Sequence, residues 1–270
     1  MSYKTKKGIL YKKDVLKFLR EDVEDESMDL IFADPPFNIN KKYNSGINDN
    51  LPEVEYISWC KKWIELSIRK LKEGGAFYIF NTPSNGFKLA NILNEQLDFR
   101  HWITVQIKQS LPIRGRLYPS HYALLYFTKG KPNTFDPPRI SIETCRHCKK
   151  DIKDYGGHKK KLNPKGLNIE DVWNDITPVR HSGKKKRKAN QLSLKLIDRI
   201  LDISSNEGDQ VLDLFSGSGT FPVVAEIKNR KWIGVDLDDL DIVKERFEYL
   251  EDESIELNRL NKNKNKLYSE

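Results

Sequence analysis

Cysteine is scarce in this sequence, whose 270 residues include only Cys60, Cys145 and Cys148. Three cysteines do not provide the disulfide framework that holds many small secreted domains together. No run approaches the roughly 18 apolar residues of a membrane-spanning helix. The first seven residues include three lysines, but no apolar stretch follows that would complete a signal peptide. We therefore expect an intracellular, cytoplasmic protein without a membrane segment.

The excess positive charge is concentrated in one segment. The formal net charge is +8. From Cys145 to Lys188 there are 14 Lys and Arg against 5 Asp and Glu, a balance of +9 that leaves −1 for the other residues. A basic segment on a near-neutral body suits a surface that follows nucleic-acid phosphates, because neutralising phosphates releases counterions. A solvated lysine-rich loop explains the same charge, and composition alone does not decide between the two.

Strands and helices alternate along most of the chain. The predicted strands are Met28–Ala33, Ala76–Phe80, Trp102–Lys108, Tyr122–Thr128, Gln210–Phe215 and Lys231–Asp236. The predicted helices are Glu53–Lys72, which Gly74-Gly75 should end, Ser84–Leu97, Gln191–Ile203 and one that begins at Thr220. This alternation predicts an α/β fold with a mostly parallel sheet covered by helices. Between residues 130 and 188 the alternation stops, which indicates an inserted, loop-rich and basic segment.

A glycine-rich turn, Phe215-Ser-Gly-Ser-Gly219, follows the predicted strand Gln210–Phe215. Glycines let the backbone approach a ligand, and the next helix presents unpaired N–H groups. Asp236 ends the following strand 17 positions after Gly219, where a carboxylate accepts hydrogen bonds from both ribose hydroxyls. Position 222 is proline, so the third glycine of a dinucleotide-binding turn is missing. The pattern predicts a site for an adenosine compound without a pyrophosphate. A tight turn of any α/β protein is the alternative.

Asp34-Pro35-Pro36-Phe37 directly follows the predicted strand Met28–Ala33, and its prolines can continue neither a strand nor a helix. The amino nitrogen of a nucleobase is a poor nucleophile, because its lone pair is delocalised into the ring. The Asp34 carboxylate and the Pro35 carbonyl can accept both N–H hydrogens, which frees that lone pair to face a methyl sulfonium. Phe37 can stack on a flipped base, worth about 1–3 kcal/mol. We expect these four residues to be catalytic, without a metal.

A second Asp-Pro-Pro sequence occurs at Asp136-Pro137-Pro138. No aromatic residue follows it, no buried strand precedes it, and it lies in the loop-rich segment, so it is predicted to be a turn. A strand-ending turn is also the alternative for Asp34–Phe37. The buried strand before Asp34 and the glycine-rich turn elsewhere in the chain argue against that alternative.

These residues resemble the amino-methyltransferases of DNA, in the class whose catalytic motif precedes the cofactor motif. Asp34–Phe37 resembles the catalytic motif, and Asp213-Leu-Phe-Ser-Gly-Ser-Gly-Thr220 resembles the cofactor motif, with a target-recognition region between them. Asn190-Gln191-Leu192 resembles the remaining cofactor-contact motif. The resemblance covers most of the chain, and the two main motifs in this order are specific.

The resemblance implies a Rossmann-like, seven-stranded methyltransferase sheet with S-adenosyl-L-methionine as cofactor. Aspartate as the first motif residue is typical of adenine N6 methylation, whereas cytosine N4 enzymes more often carry serine. Phe37 stands where tyrosine is commoner, which a stacking role tolerates. The residues implied to bind the cofactor are Asn190, Gln191, Asp213, Phe215, Ser216, Gly217, Ser218, Gly219, Thr220 and Asp236.

The same resemblance divides the chain into four parts and names its partners. Residues 1–129 are expected to form the catalytic half, 130–189 the target-recognition insertion, 190–255 the cofactor-binding half and 256–270 a tail. Duplex DNA is the expected partner, and a cognate restriction endonuclease and a homodimer fit the same family. Recognition residues do not transfer from the family, but the charge of the basic run predicts contacts with DNA phosphates for Arg180, Lys184, Lys185, Lys186, Arg187 and Lys188, with a solvated loop as the alternative.

Cys145-Arg-His-Cys148 has the spacing of a zinc knuckle, although no second cysteine pair follows. His147 and His158 would have to complete the ligand set. A local turn with reduced thiols is the alternative, and we expect no metal.

Three other functions remain open at this point. Cytosine N4 methylation uses the same geometry as adenine N6 methylation. RNA or protein amides are alternative substrates, although protein-glutamine enzymes usually carry asparagine where this chain has Asp34. The third is a non-catalytic DNA-binding protein with a relic methyltransferase fold, and two intact motifs argue against it.

Overall fold

The computed structural model describes residues 1–41, 46, 48–106, 114–115, 117–140, 156–157, 159–161, 163, 165–176, 179 and 191–262. The strands are β1 Ser2–Lys4, β2 Gly8–Lys12, β3 Met28–Ala33, β4 Leu71–Asn81, β5 Asp98–Gln106, β6 His121–Thr128, β7 Arg139–Ile140, β8 Leu167–Asn168, β9 Val172–Trp173, β10 Gln210–Asp213 and β11 Lys231–Asp236. The helices are α1 Val15–Glu21, α2 Glu53–Lys70, α3 Pro83–Leu93, α4 Leu194–Ser204, α5 Thr220–Ile227, α6 Asp241–Glu248 and α7 Leu250–Lys262, with a short 3-10 helix at Lys159–Lys161.

Nine of these strands form one sheet, in the order β1-β2-β11-β10-β3-β4-β6-β5-β9. Five neighbouring strands, β2, β11, β10, β3 and β4, run parallel to one another, whereas β6 runs antiparallel to both of its neighbours, β4 and β5. The predicted α/β fold with a mostly parallel sheet is confirmed. In sheet order, β2, β11, β10, β3, β4, β6 and β5 make up the seven strands that the resemblance implies. The described sheet is wider because β1 and β9 pair with its two edges.

Two apolar layers cover the sheet, one on each face. In β3, Leu30 and Phe32 belong to the cluster that contains the buried faces of α4 and α5, while Ile31 and Ala33 belong to the cluster that contains those of α1, α2 and α3. A strand buried on both faces reads as a continuous apolar run, which is why β3 was predicted with its observed bounds. Because α1 to α3 cover one face and α4 and α5 the other, a site formed by the described residues is expected at the strand ends.

The junction between α2 and β4 differs from the prediction. The helix ends at Lys70 rather than at Gly74-Gly75, and β4 begins at once with the fully buried Leu71, which pairs with Met28. Gly74 has a φ of +76° and donates its N–H to the Lys129 carbonyl at 2.6 Å, so the glycines form an irregular part of the strand. Burial of Leu71 outweighs the helix-ending preference of the glycines. The strand also continues one residue beyond Phe80, to Asn81.

Both ends of the chain add elements that the sequence did not predict. At the start, β1 and β2 form an antiparallel pair and α1 follows. At the other end, α6 and α7 follow β11, so residues 256–262 of the expected tail are helical and Leu257 is buried. Residues 263–270 lie outside the described residues. In the part of the chain that the structure describes, no helix has the length and apolar character needed to cross a membrane.

The last described stretch of the 130–189 insertion, residues 165–176, is attached to the main body of the protein. There β9 pairs in parallel with β5, while β7 and β8 form a separate antiparallel ribbon. Both carboxylate oxygens of Asp175 accept hydrogen bonds from Arg199 of α4, at 2.9 and 2.6 Å, and Lys195 lies 2.7 Å away. Burial alone would raise the pKa of Asp175, but these two cations hold that pKa below its ordinary value. The insertion therefore returns to the core at the start of α4.

Gly8 of β2 allows the close parallel pairing with β11. A Cβ atom at this position would lie 2.1 Å from the ring of Trp232, which is buried directly opposite. Gly8→Ala should lower the free energy of unfolding by about 1–3 kcal/mol, because the ring or the strand must shift. Urea denaturation would measure this change, with the exposed Lys6→Ala as the control. Equal stability of Gly8→Ala and the wild type would contradict the close pairing.

Candidate active site

The carboxyl ends of three parallel strands meet at the middle of one sheet edge. Asp34–Phe37 follows β3, the glycine-rich turn follows β10, and Asp236 ends β11. A cavity of about 380 Å³ is lined by residues of all three segments, a volume in the range of small-molecule sites. The two motifs, which lie about 180 positions apart in the sequence, therefore form one site.

The glycine-rich turn is held by backbone bonds to its neighbours. Leu214 donates its N–H to the Phe32 carbonyl at 3.1 Å, and Ser216 donates to the Val235 carbonyl at 3.0 Å. Gly219 has a φ of +76° and precedes the first residue of α5, and a Cβ there would lie 2.7 Å from Val243. Glycine is required at position 219 for both its backbone conformation and this close packing.

Asp236 both lines the cavity and holds the turn. One carboxylate oxygen accepts the Gly217 N–H at 2.5 Å, and the other accepts the Asp238 N–H at 2.8 Å. A carboxylate oxygen can accept more than one hydrogen bond, so these bonds are compatible with contacts to ribose hydroxyls.

Arg246 of α6 supports the turn from behind and is fully buried. It donates to the Ser218 carbonyl at 3.0 Å and to the Thr220 hydroxyl at 2.9 Å. Its guanidinium also makes two hydrogen bonds to the carboxylate of Glu253, at 2.6 and 3.0 Å. The sequence did not predict this role for Arg246, because nothing local marks one arginine of a charged helix as buried. Only the fold brings it to the turn.

Asp213 lies between the two other carboxylates of the site. It pairs with Phe32 on one side and with Gly234 on the other, so Asp34 and Asp236 follow two residues beyond its neighbours. Burial raises the pKa of Asp213 to about 8, and the negative charges of Asp236 and Asp34 add to the rise, whereas the Phe215 N–H and Ser216 oppose it. The carboxyl is therefore largely protonated at neutral pH, which keeps one negative charge out of the site.

The Asp34–Phe37 turn is held through two of its carbonyls. Tyr56 of α2 donates its hydroxyl to the Pro36 carbonyl at 2.7 Å, and Asn85 of α3 donates its amide to the Phe37 carbonyl at 2.7 Å. Within the described part of the chain, the Pro35 carbonyl accepts no hydrogen bond. The turn therefore keeps available the carbonyl that the motif predicts will accept a hydrogen bond from a substrate amino group.

The Phe37 side chain is fixed by two other aromatic rings. Its ring centroid lies 5.6 Å from that of Tyr122 and 6.3 Å from that of Phe80, and both pairs are tilted. Phe37 is 8% exposed and lines the cavity. The ring therefore presents a small, closely packed apolar surface to the cavity, as a stacking partner requires.

A buried carboxylate holds the backbone that follows Phe37. Asp49 accepts the N–H groups of Asn38 at 2.8 Å, Ile39 at 3.2 Å and Lys41 at 2.8 Å. Asn38 and Leu51 exchange two further hydrogen bonds, at 2.7 and 2.8 Å. Because Asp49 and Leu51 also line the cavity, this loop base forms one of its walls. An aspartate inside a polar loop gives no sequence signal of such a role.

Trp59 of α2 contributes to the site as well as to packing. Its ring contacts Phe215 edge-on with centroids 5.8 Å apart, and it lines the cavity. Trp63, which also contacts Phe215, is fully buried, and both tryptophans lie one helical turn apart on α2. Helical spacing predicts which residues share a face, but not which of them borders a cavity at its end.

Of the remaining predicted site residues, Gln191 lies in the described part of the chain and the others do not. Gln191 precedes α4 and is half-buried, while the neighbouring Leu192 lines the cavity and accepts the Thr220 hydroxyl at 3.4 Å. The other positions lie outside the described residues, namely Asn190, Arg180, Lys184, Lys185, Lys186, Arg187, Lys188, Cys145, His147, Cys148 and His158. Among the described residues, no group of three or more His, Cys, Asp or Glu side chains is arranged to hold a metal.

The second Asp-Pro-Pro sequence lies elsewhere. Asp136 donates its N–H to the carbonyl of Ile203 at the end of α4, and Pro138 accepts the Ile169 N–H, both at 2.9 Å. Neither residue lines the cavity. The same three residue types thus occur once at the site and once in an irregular segment that connects β6 to β7.

The sequence is similar to those of known DNA methyltransferases. The family model described as DNA methylase, for N6 and N4 methyltransferases, matches residues 28–245. The type II methyltransferase M.BamHI of Bacillus amyloliquefaciens is 50% identical over 262 residues, which are 97% of this chain and 62% of that protein. The type II methyltransferase M.HpaI of Haemophilus parainfluenzae is 33% identical over 234 residues, which are 84% of this chain and 70% of that protein.

The fold is also similar to a solved methyltransferase structure. The PvuII DNA methyltransferase, which is cytosine-N4-specific, matches with a TM-score of 0.64 and 20% identity. The match covers 96% of this chain and 94% of that one. This chain thus extends over nearly all of that structure, but over less than two thirds of the length of M.BamHI.

The raised pKa of Asp213 predicts a pH dependence of folding. Between about pH 4 and pH 8 the unfolded chain loses this proton while the folded chain keeps it, so the free energy of unfolding falls by about 1 kcal/mol per pH unit. Asp213→Asn keeps the shape and removes the titration. The stability of the variant relative to the wild type should therefore rise across this range, as measured by urea denaturation at several pH values. A difference that is constant with pH would contradict the assignment.

Proposed function

The chain belongs to the DNA methylase family of N6 and N4 methyltransferases, and on that premise we propose that it transfers a methyl group from S-adenosylmethionine to an exocyclic amino group of a base in duplex DNA. One observation carries the proposal. The cavity that contains the glycine-rich turn and Asp236 also contains Asp34 and Pro35, whose carbonyl accepts no hydrogen bond within the described residues. A cofactor site and an acceptor pair for an amino group therefore lie side by side.

The residues of the cavity fit S-adenosylmethionine. Phe215–Gly219 would face it with a backbone that lacks side chains at two positions, and Asp236 would accept hydrogen bonds from its ribose hydroxyls. When bound, the cofactor would supply an electrophilic methyl group on a sulfonium; as the new N–C bond forms, the C–S bond would break to leave a neutral thioether, and the substituted nitrogen would release one proton. The edge of Trp59 against Phe215 adds an apolar wall. We propose these residues as the cofactor site.

The acceptor pair would activate the base. Asp34 and the Pro35 carbonyl would accept the two N–H hydrogens of the amino group, which withdraws the nitrogen lone pair from the ring. Tyr56 and Asn85 hold the next two carbonyls, so the turn is set before a base arrives, and no reorganisation is needed during the reaction. Phe37 would stack on the flipped base. This chemistry needs neither a metal nor a covalent intermediate.

For the target base we propose adenine N6, because Asp34 is the residue typical of adenine enzymes at the first position of the motif. Cytosine N4 is the second candidate, because Asp34 and Pro35 would contact only the amino group, which both bases carry. The acceptor pair itself therefore does not select the base.

Contact with DNA is proposed for the 130–189 insertion. The described end of the insertion returns to the core at α4, where Asp175 binds Arg199, and Leu192, just before α4, lines the cavity. The basic residues from Arg180 to Lys188 lie between these two points in the sequence. Their DNA contacts stay a prediction, as do the division into halves, the homodimer, the companion endonuclease and the cytoplasmic location.

Asp34→Ala should abolish methyl transfer, because it removes one of the two acceptors, while the Kd for S-adenosylmethionine stays near the wild-type value. Asp136→Ala is the matched control, since it changes the aspartate of the other Asp-Pro-Pro sequence at an exposed position. Transfer of tritiated methyl to DNA and calorimetric cofactor titration would measure both effects. Near-normal activity of Asp34→Ala would refute the mechanism.

The modified base can be identified directly. DNA from a host that expresses the protein should contain N6-methyladenine when it is digested to nucleosides and analysed by mass spectrometry. N4-methylcytosine instead would assign the second candidate base. Neither nucleoside, in a host where the protein is folded and binds DNA, would favour a non-catalytic protein with a relic fold.

A further inference from the structure

Asn81, the last residue of β4, connects the two side chains that hold the Asp34–Phe37 turn. Its amide nitrogen donates to the Tyr56 hydroxyl oxygen at 3.4 Å, and its amide oxygen accepts from the Asn85 amide at 3.0 Å. The same oxygen accepts the Thr82 N–H at 2.8 Å. Asn81 is fully buried, and one amide therefore orients a donor on each of two different helices.

The contacts close into a ring with the turn. Tyr56 and Asn85, which Asn81 orients, donate to the adjacent carbonyls of Pro36 and Phe37, both at 2.7 Å. The path from one carbonyl to the other thus runs through three side chains, none of which belongs to the turn. A closed hydrogen-bond network that is largely shielded from water holds its members more firmly than separate pairs do.

The position of Asn81 in β4 also links the hydrogen-bond ring to Phe37, the proposed stacking residue. Phe80, its neighbour in β4, contacts Phe37 and Tyr122, with centroids 6.3 and 4.9 Å away. Two residues at the end of β4 therefore hold the turn. Phe80 packs against Phe37, and the amide of Asn81 orients the side chains that bind the Pro36 and Phe37 carbonyls. With the Pro36 and Phe37 carbonyls occupied, the orientation of the Pro35 peptide is fixed as well.

We infer that Asn81 is a positioning residue, which acts through Tyr56 and Asn85 to aim the Pro35 carbonyl and the Asp34 carboxylate at the amino group of the target base. The inference rests on the proposed function for the identity of the substrate. Asn81 touches neither base nor cofactor in this scheme. Its loss should therefore slow the reaction without weakening cofactor binding.

The first test compares variants in steady-state methyl transfer. Asn81→Leu removes both polar groups at similar volume, and Asn85→Ala removes one arm of the ring at a half-buried position, so that a variant remains if Asn81→Leu does not fold. Asn91→Ala, at an exposed position of the same helix as Asn85, is the control. Misplacement of the turn should lower kcat by about 10- to 100-fold in both ring variants. The Kd for S-adenosylmethionine and the activity of Asn91→Ala should stay at the wild-type level.

The second test reads the turn without any reaction. Pro36-Phe37 is the only Pro-Phe sequence in the chain, so labelling proline at its carbonyl carbon with ¹³C and phenylalanine with ¹⁵N gives one resonance for the Pro36 carbonyl. Tyr56→Phe should move this resonance upfield, because an accepted hydrogen bond deshields a carbonyl carbon. Asn81→Leu should move it in the same direction, although Asn81 does not contact Pro36.

The outcomes separate the two proposals. A shifted carbonyl resonance and a lower kcat at an unchanged Kd support the role of Asn81. An unchanged resonance in Asn81→Leu, or a loss of activity that only follows a lower Tm, would overturn it. A wild-type protein that methylates no DNA would refute the proposed function instead, whereas the carbonyl resonance would still decide whether Asn81 holds the turn.

Discussion

The parallel pairing of β3, β10 and β11 is the constraint on which the site depends. Because β10 lies between the other two, the three strand ends come to one edge, and Asp213 is placed with Asp34 on one side and Asp236 on the other. Three carboxyl groups at one edge would repel each other if all were ionised. Burial of Asp213 and the rise of its pKa to about 8 remove one of these charges near neutral pH. The sheet thus fixes both the geometry and the charge of the cavity.

The rigidity of the two turns comes from elements that lie far away in the sequence. The glycine-rich turn is held by Arg246 of α6, and the Asp34–Phe37 turn is held by Tyr56 of α2 and Asn85 of α3. In each case a side chain donates a hydrogen bond to a backbone carbonyl of the turn, since buried carbonyls need a hydrogen-bond donor. A site that is complete before the ligands bind loses little free energy to reorganisation when they do.

The sequence predicted those parts of the molecule that local patterns determine. β3 and β11 have their predicted bounds, since a buried strand that ends at prolines or at an acid is marked by its own residues. The end of α2 was wrong, because burial of Leu71 in the sheet outweighs the local preference of Gly74-Gly75. Asn81, Tyr56 and Arg246 gave no signal, because their roles arise from contacts between segments that only the complete fold brings together.

In the proposed mechanism, one cavity holds both a methyl donor and the amino group of a base in DNA. The most direct measurement incubates the purified protein with S-adenosylmethionine labelled in its methyl group and with duplex DNA from a host that lacks this modification. Label should appear in exocyclic amino groups of the DNA, and none should appear when Asp34 is replaced. Label that appears only in RNA or protein, or in no polymer although the cofactor binds, would contradict it.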